Sequence, residues 1–235
     1  MGIFDFFTAG GAMKRHVRRV TDRDAQDDDR VASIQWLAEN GSPEAVAGLC
    51  NRFGMQLEHQ LKDRKEKDMV LEALCEKGAE GAQIAKDWAH RNTRFAYAVK
   101  VVERVEGAAA AVDLLLAMLA KESVDNELKP EKKHALLIAL AERKDPRVAD
   151  AARPFLADFN EGVRHAAIEA IAAQDGDAGR DGLTGALLNP KEESTRIRGR
   201  LAEIFAQRRW PVPEDGWLAQ NTPTGFRLEA GRLVR

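Results

Sequence analysis

Over residues 160–188 the chain reads NEGVRHAAIEAIAAQDGDAGRDGLTGALL, and this stretch constrains the fold more than any other. Val163, Ala166, Ala167, Ala170 and Ile171 fall at i, i+3, i+4, i+7 and i+8, a single apolar stripe on an α-helix. Three of the five are alanine, so the stripe is narrow and a second helix can approach closely. Asp175-Gly176-Asp177 interrupts the pattern, and another apolar run follows through Leu183, Ala186, Leu187 and Leu188. A helical pair this short cannot bury its face alone; it needs copies of itself on either side.

The copies are present. A first unit over 29–53 puts Ala32, Ser33, Trp36 and Leu37 on one stripe, with Gly41-Ser42-Pro43 as the turn and Ser42 as the cap of the next helix. A second over 61–92 uses Met69, Val70, Ala73 and Leu74, turns at Gly78, and carries Ile84 and Trp88 on its second helix. A third over 93–119 places Tyr97, Ala98, Val101 and Val102 inward and turns at Glu106-Gly107. Its second helix, AAAAVDLLLAMLA, is apolar enough to be covered on both sides. After a polar loop at 121–130, a fourth unit points Ala135, Leu136, Ala139 and Leu140 inward, turns at Asp145-Pro146, and continues as a helix over 148–159. The fifth is the opening stretch, and the sixth has Ile197, Leu201, Ile204 and Phe205 on one face. Leu37-Ala38-Glu39, Leu74-Cys75-Glu76 and Leu140-Ala141-Glu142 mark equivalent places in three of the units.

Val163-Arg164-His165-Ala166-Ala167-Ile168-Glu169-Ala170-Ile171 resembles the first helix of a short HEAT repeat, of the kind also found in phycobilin lyases: hydrophobic-Arg-x-x-Ala-x-x-Ala-Leu, then an Asp-Pro or Gly-Asp turn. The resemblance implies an all-α, right-handed superhelical solenoid of about six helical pairs. Three segments are expected: an N-terminal arm over 1–28, partly flexible at Gly10-Gly11; the solenoid over 29–209; and a cap over 210–235. In the cap, Gly225 to Arg235 alternates apolar and polar around a glycine turn and reads as a β-hairpin that docks Phe226 and Leu228 on the last helices.

Chemistry is sparse. The five histidines (His16, His59, His90, His134 and His165) have no partner at metal-ligand spacing, although His134 and His165 share a repeat position. The run Asp175 to Gly179 lacks the third ligand, the glycine and the bidentate Glu of a calcium loop. No serine stands in G-x-S-x-G, and no glycine cluster follows a strand. Cys50 and Cys75 each lie in an apolar helical run and read as free thiols in a reducing cytoplasm. With a formal net charge of −2 the chain has no global attraction for nucleic acid, and no metal or organic cofactor is expected.

The expected function is therefore a non-enzymatic scaffold or adaptor that holds another protein or peptide on a concave surface built by the second helices. Lys86, His90, Arg153 and Arg180 are the residues predicted to face it. Nucleic acid is an alternative partner, through Lys14, Arg15, Arg18 and Arg19 or through Arg196, Arg198, Arg200, Arg208 and Arg209. A HEAT-type enzyme is another, with Tyr97, Trp36 and Trp88 for a bilin cavity or Asp87-Trp88 for a glycosylase pocket. Phe4, Phe6 and Phe7 form a greasy tip that could anchor the arm at a membrane surface. The chain is expected to be a monomer or a weak homodimer.

Overall fold

The computed structural model describes the backbone from residue 3 and side chains from residue 11. Helices account for about two thirds of the chain: α1 (Ile3–Arg19), α2 (Asp27–Asn40), α3 (Pro43–Gly54), α4 (Gln60–Glu76), α5 (Ala79–Arg91), α6 (Ala96–Glu106), α7 (Ala108–Leu119), α8 (Pro130–Ala141), α9 (Arg147–Ala152), α10 (Glu161–Ala172), α11 (Arg180–Leu187), α12 (Thr195–Arg208) and α13 (Gly216–Gln220). A single hairpin, β1 (Arg227–Glu229) and β2 (Arg232–Val234), completes the described residues. No described helix is long and apolar enough to cross a membrane. The chain divides into two compact units, residues 1–114 and 115–235.

In the first unit each of α2 to α4 touches both the next helix and the next but one, and α1 lies on α2 and α3. In the second, α8 lies on α10 and α10 on α12, while α11 touches α12 and the short 3₁₀ turn Arg153–Ala157. Local chemistry sets the breaks. Ser42 Oγ accepts from the Ala45 amide, Asn160 Oδ1 from Val163 and Ser194 Oγ from Ile197, so each of these helices begins where a short polar side chain can meet an orphan N–H. Gly41, Gly78 and Gly107, at φ of 61°, 55° and 97°, take the left-handed turns that let the chain double back.

A ladder of cations recurs on α2, α4, α8, α10 and α12. Leu37, Leu74, Leu140, Ile171 and Phe205 are all buried, and seven residues before each stands Arg30, Lys67, Lys133, Arg164 or Arg198. Seven residues is two helical turns, so each cation shares the face of its anchor; Arg30, Lys133, Arg164 and Arg198 stand in the first turn of their helices and Lys67 two turns into α4. Helix N-termini disfavour positive charge, and the four first-turn cations are compensated by carbonyls of the preceding loop, whereas Lys67 pairs with Asp63 one turn earlier in α4. Lys133 Nζ donates to the carbonyls of Ser123 and Asn126 and pairs with Asp158 at 2.5 Å. Arg164 donates to the carbonyls of Asp158 and Phe159 and pairs with Glu192 at 2.8 Å; Arg198 in turn donates to the Glu192 carbonyl. One acidic residue thus receives the previous cation on its side chain and the next on its backbone. In α6 the place seven before Val102 is taken by a buried Phe95 instead.

Several expectations are corrected. In α2 the buried residues are Arg30, Ser33, Ile34 and Leu37, whereas Ala32 is exposed and Trp36 half-buried. Apolar residues at 31, 32, 34, 36 and 37 allow two helical phases, and the one chosen puts Arg30 on its buried carboxylate. Helix α7 is covered on one face only: Ala111, Leu115 and Met118 are buried, while Ala109, Asp113 and Ala117 are exposed. The helix expected over 148–159 ends at Ala152, because Pro154 has no N–H to continue it, and a 3₁₀ turn follows. Gly10-Gly11 lies within α1 rather than forming a joint. The hairpin docks through Leu233, which is 2% exposed; Leu228 is its cross-strand partner and shares its face, but β1 is the outer strand, and Phe226 lies near the Arg235 guanidinium.

Candidate binding surface

The first unit has a groove of about 720 Å³ between α1, α3 and α5. Each helix contributes one periodic face. From α1 come Lys14, Val17 and Arg18; from α3, Glu44, Ala47, Gly48 and Asn51; from α5, Trp88 and Arg91. The floor is shallow because α3 offers alanine and glycine there. Gly48 eases the crossing of α1 over α3: a Cβ there would lie 2.5 Å from Val17 Cγ2, so any side chain at this position would push Val17 and α1 away from α3.

Helix α1 is held by more than that crossing. Met13 and Val20 are buried, and His16 stacks on Trp36 with ring centroids 4.3 Å apart. Ser33 Oγ donates to the Asp29 carbonyl, so the 3.1 Å contact between His16 Nδ1 and Ser33 Oγ has the imidazole N–H as donor. Burial of the ring, followed by the nearby Arg15 and Arg19, lowers the His16 pKa and favours the neutral imidazole. Across the groove, Trp88 Nε1 donates to Asn51 Oδ1 at 3.3 Å, and Asn92 Nδ2 to the Trp88 carbonyl at 2.7 Å. Trp88 is 5% exposed and serves as wall rather than platform. Lys14, Arg18 and Arg91 make no ion pair among the described residues, and Arg91 donates only to the Asp87 carbonyl.

Behind the groove is a buried ionic cluster. Arg52 Nε donates to Glu66 Oε2 at 2.7 Å, its other nitrogens reach Asp63 at 2.8 Å and the Met55 carbonyl at 3.1 Å, and Arg30 Nε shares both Glu66 oxygens at 3.2 and 3.3 Å. Arg30 also bonds Asp27 and the Ala25 carbonyl. Burial opposes charge on Arg30, but the Glu66 and Asp27 contacts outweigh it and raise the pKa. Burial likewise opposes the charge on Asp63, yet Lys67 and Arg52 hold its carboxyl below the usual range. These perturbed groups fix α2, α3 and α4 to one another.

The residues predicted to face a partner fall in separate places. Lys86 pairs with Glu106 at 2.5 Å, and His90 lies one turn further along α5, half-buried and engaged. In the second unit Arg153 donates to Asp150 at 2.7 Å, and its aliphatic stem lies against Gly182 of α11, the helix that Arg180 opens; Arg180 faces Asp177 at 3.9 Å. Phe4, Phe6 and Phe7 lie outside the described side chains. The sixth-unit arginines are largely committed: Arg200 bonds Glu169 and Glu203, Arg208 donates to the carbonyls of Gly176, Ala172 and Gln174, and Arg198 covers Trp217. His165 Nε2 is 3.8 Å from Glu169, and no group of three or more His, Cys, Asp or Glu side chains among the described residues could hold a metal ion. Trp36, Trp88 and Tyr97 line no common cavity: Trp36 is under His16 and Tyr97 stacks on Phe53 at 5.4 Å. Asp87 is exposed and accepts from Gln83, about 100° round α5 from the buried Trp88.

No protein-family model matches the chain, and searches of curated proteins and of solved structures return no match either.

Proposed function

We propose that the chain is a HEAT-type helical-repeat scaffold, non-enzymatic, that binds a segment of another protein on its second helices. The cation ladder carries this reading. Five first helices present a lysine or arginine at the same offset from the same buried anchor, and a chain without repeats has no reason to do so. Contacts between helices two apart in sequence, such as α2 with α4 and α8 with α10, add to the support, since stacked pairs bury their faces that way. The pKa displacements of Asp27, Asp63 and Glu169 come with ion pairs that join neighbouring helices, the work of a scaffold and not of an acid–base site.

The test is affinity capture from native lysate at low and high salt. Wild type is run beside Arg153→Glu/Arg180→Glu and Arg18→Glu/Arg91→Glu. A stoichiometric protein lost from at least one variant is the expected result. Capture of nucleic acid alone, eluting steeply with salt, would overturn the proposal in favour of phosphate-backbone binding.

A further inference from the structure

We infer that the groove between α1, α3 and α5 binds an acidic segment of a partner protein, one that combines carboxylates with an apolar side chain. The inference rests on the scaffold reading and assigns it a place and a chemistry. Charge gives the first argument. Lys14, Arg18 and Arg91 line the groove without ion pairs among the described residues, and Glu44 is the one carboxylate with them. Lys14 and Arg18 are one turn apart on α1, and Arg91 approaches from α5. A ligand between the helices can therefore meet cations on both flanks, the arrangement that steers and orients a chain of opposite charge.

The floor gives the second argument. Val17, Ala47 and Gly48 are apolar, so desolvating them favours a ligand that brings an apolar side chain as well as charge. Asn51 is engaged through its oxygen by Trp88, which leaves its NH₂ as a donor for a main-chain carbonyl. A single-stranded nucleic acid fits less well. Bases need an open aromatic face, and Trp88 is 5% exposed. Glu44 would also face a continuous phosphate chain, whereas a peptide can present a neutral residue there.

The groove exists because α1, which is not one of the repeat helices, crosses α3 at Gly48. The arm thereby contributes two of the three cations, a specific role in recognition for residues 14–18.

The experiment is fluorescence anisotropy on the full chain with a labelled peptide of repeated Glu-Glu-Leu triplets. A Lys-Lys-Leu counterpart, an oligothymidylate and vesicles containing phosphatidylserine are run beside it. The acidic peptide should bind, and affinity should fall about tenfold in Arg18→Glu/Arg91→Glu. It should also weaken several-fold between about 0.05 and about 0.5 M NaCl. Lys191→Glu, a charge reversal in the other unit, should leave it unchanged. Lys14→Glu/Arg18→Glu, confined to the exposed side of α1, should reproduce the loss if the first variant proves unfolded by circular dichroism. Equal affinity for wild type and both groove variants overturns the assignment. So does tighter binding of the oligothymidylate or the vesicles through the same residues. If a protein captured from lysate is kept by the groove variants and lost from Arg153→Glu/Arg180→Glu, the groove fails while the scaffold reading stands.

Discussion

Replacing Glu66 by glutamine removes one negative charge between two arginines that are 1% and 0% exposed. Glu66 accepts three hydrogen bonds from them, at 2.7, 3.2 and 3.3 Å, and lies on α4 while its donors lie on α2 and α3. Arg52 would keep Asp63 and the Met55 carbonyl, and Arg30 would keep Asp27 and the Ala25 carbonyl, so neither guanidinium is stranded. What is lost is the charge balance of the pair in a region closed to water. Breaking a buried ion pair by removing one partner costs about 3–5 kcal/mol. Because a chain with two compact units need not melt in one step, the readout is amide hydrogen exchange rather than a single midpoint. Exchange in α2, α3 and α4 should accelerate by roughly 10²–10³-fold, since about 1.4 kcal/mol is a factor of ten, while α10 and α12 stay as they are. Glu72→Gln, which breaks an exposed pair with Arg104, should leave all helices unmoved. If Glu66→Gln exchanges within twofold of wild type, the cluster is not what joins the three helices.

Gly48→Ala puts a methyl into Val17, an overpacking cost of about 1–3 kcal/mol, and should free α1 selectively, seen as faster exchange in α1 with α4 and α5 unchanged. The same variant should lose the acidic peptide, because two of the groove's cations are on that helix. Cys50 is fully buried and its thiol is pushed up to about 12, so a disulfide reagent at pH 8 should modify the half-buried Cys75 and reach Cys50 only after denaturation; two rapid equivalents in the native protein would contradict the placement. His16 has its pKa lowered by burial and by Arg15 and Arg19, so folding favours the neutral ring. Its contribution is present above the ordinary histidine pKa of 6.5 and is lost as pH falls through the lower folded value. Exchange in α1 should therefore rise on acidification, and His16→Phe, which keeps the stack on Trp36, should remove that dependence.

The parts of the fold legible in the sequence are those where one helix carries an unambiguous stripe. All five stripe residues of α10 are buried, as are Ile197, Leu201, Ile204 and Phe205 of α12, and Ser42-Pro43 and Pro130 open helices where their chemistry places them. Ambiguity entered where apolar residues stood too close together, as in α2, or where a helix-terminating proline stood inside an apolar run, as at Pro154. The cation ladder was in the sequence too, seven residues before a large apolar residue that opens the repeated tripeptide in three of the five helices. Hydrophobic periodicity gives such positions no weight, because lysine and arginine ordinarily mark the solvated face.

The groove was beyond reach for a different reason. Lys14 and Arg18 stood out as a basic cluster, but nothing local ties them to Arg91, some seventy residues on. The connection is made by Gly48, a residue that reads as a mild defect in an α-helix until α1 is seen to cross there. The contrast with the ladder is instructive. Lys133, Arg164 and Arg198 are spent on loop carbonyls and carboxylates and have nothing left for a ligand. Those of the groove come from α1 and from the end of α5, and none of them makes an ion pair among the described residues. Charge that the helices do not neutralise among themselves is the charge a partner can use, which favours α1 and α5 over the more conspicuous arginines of α12.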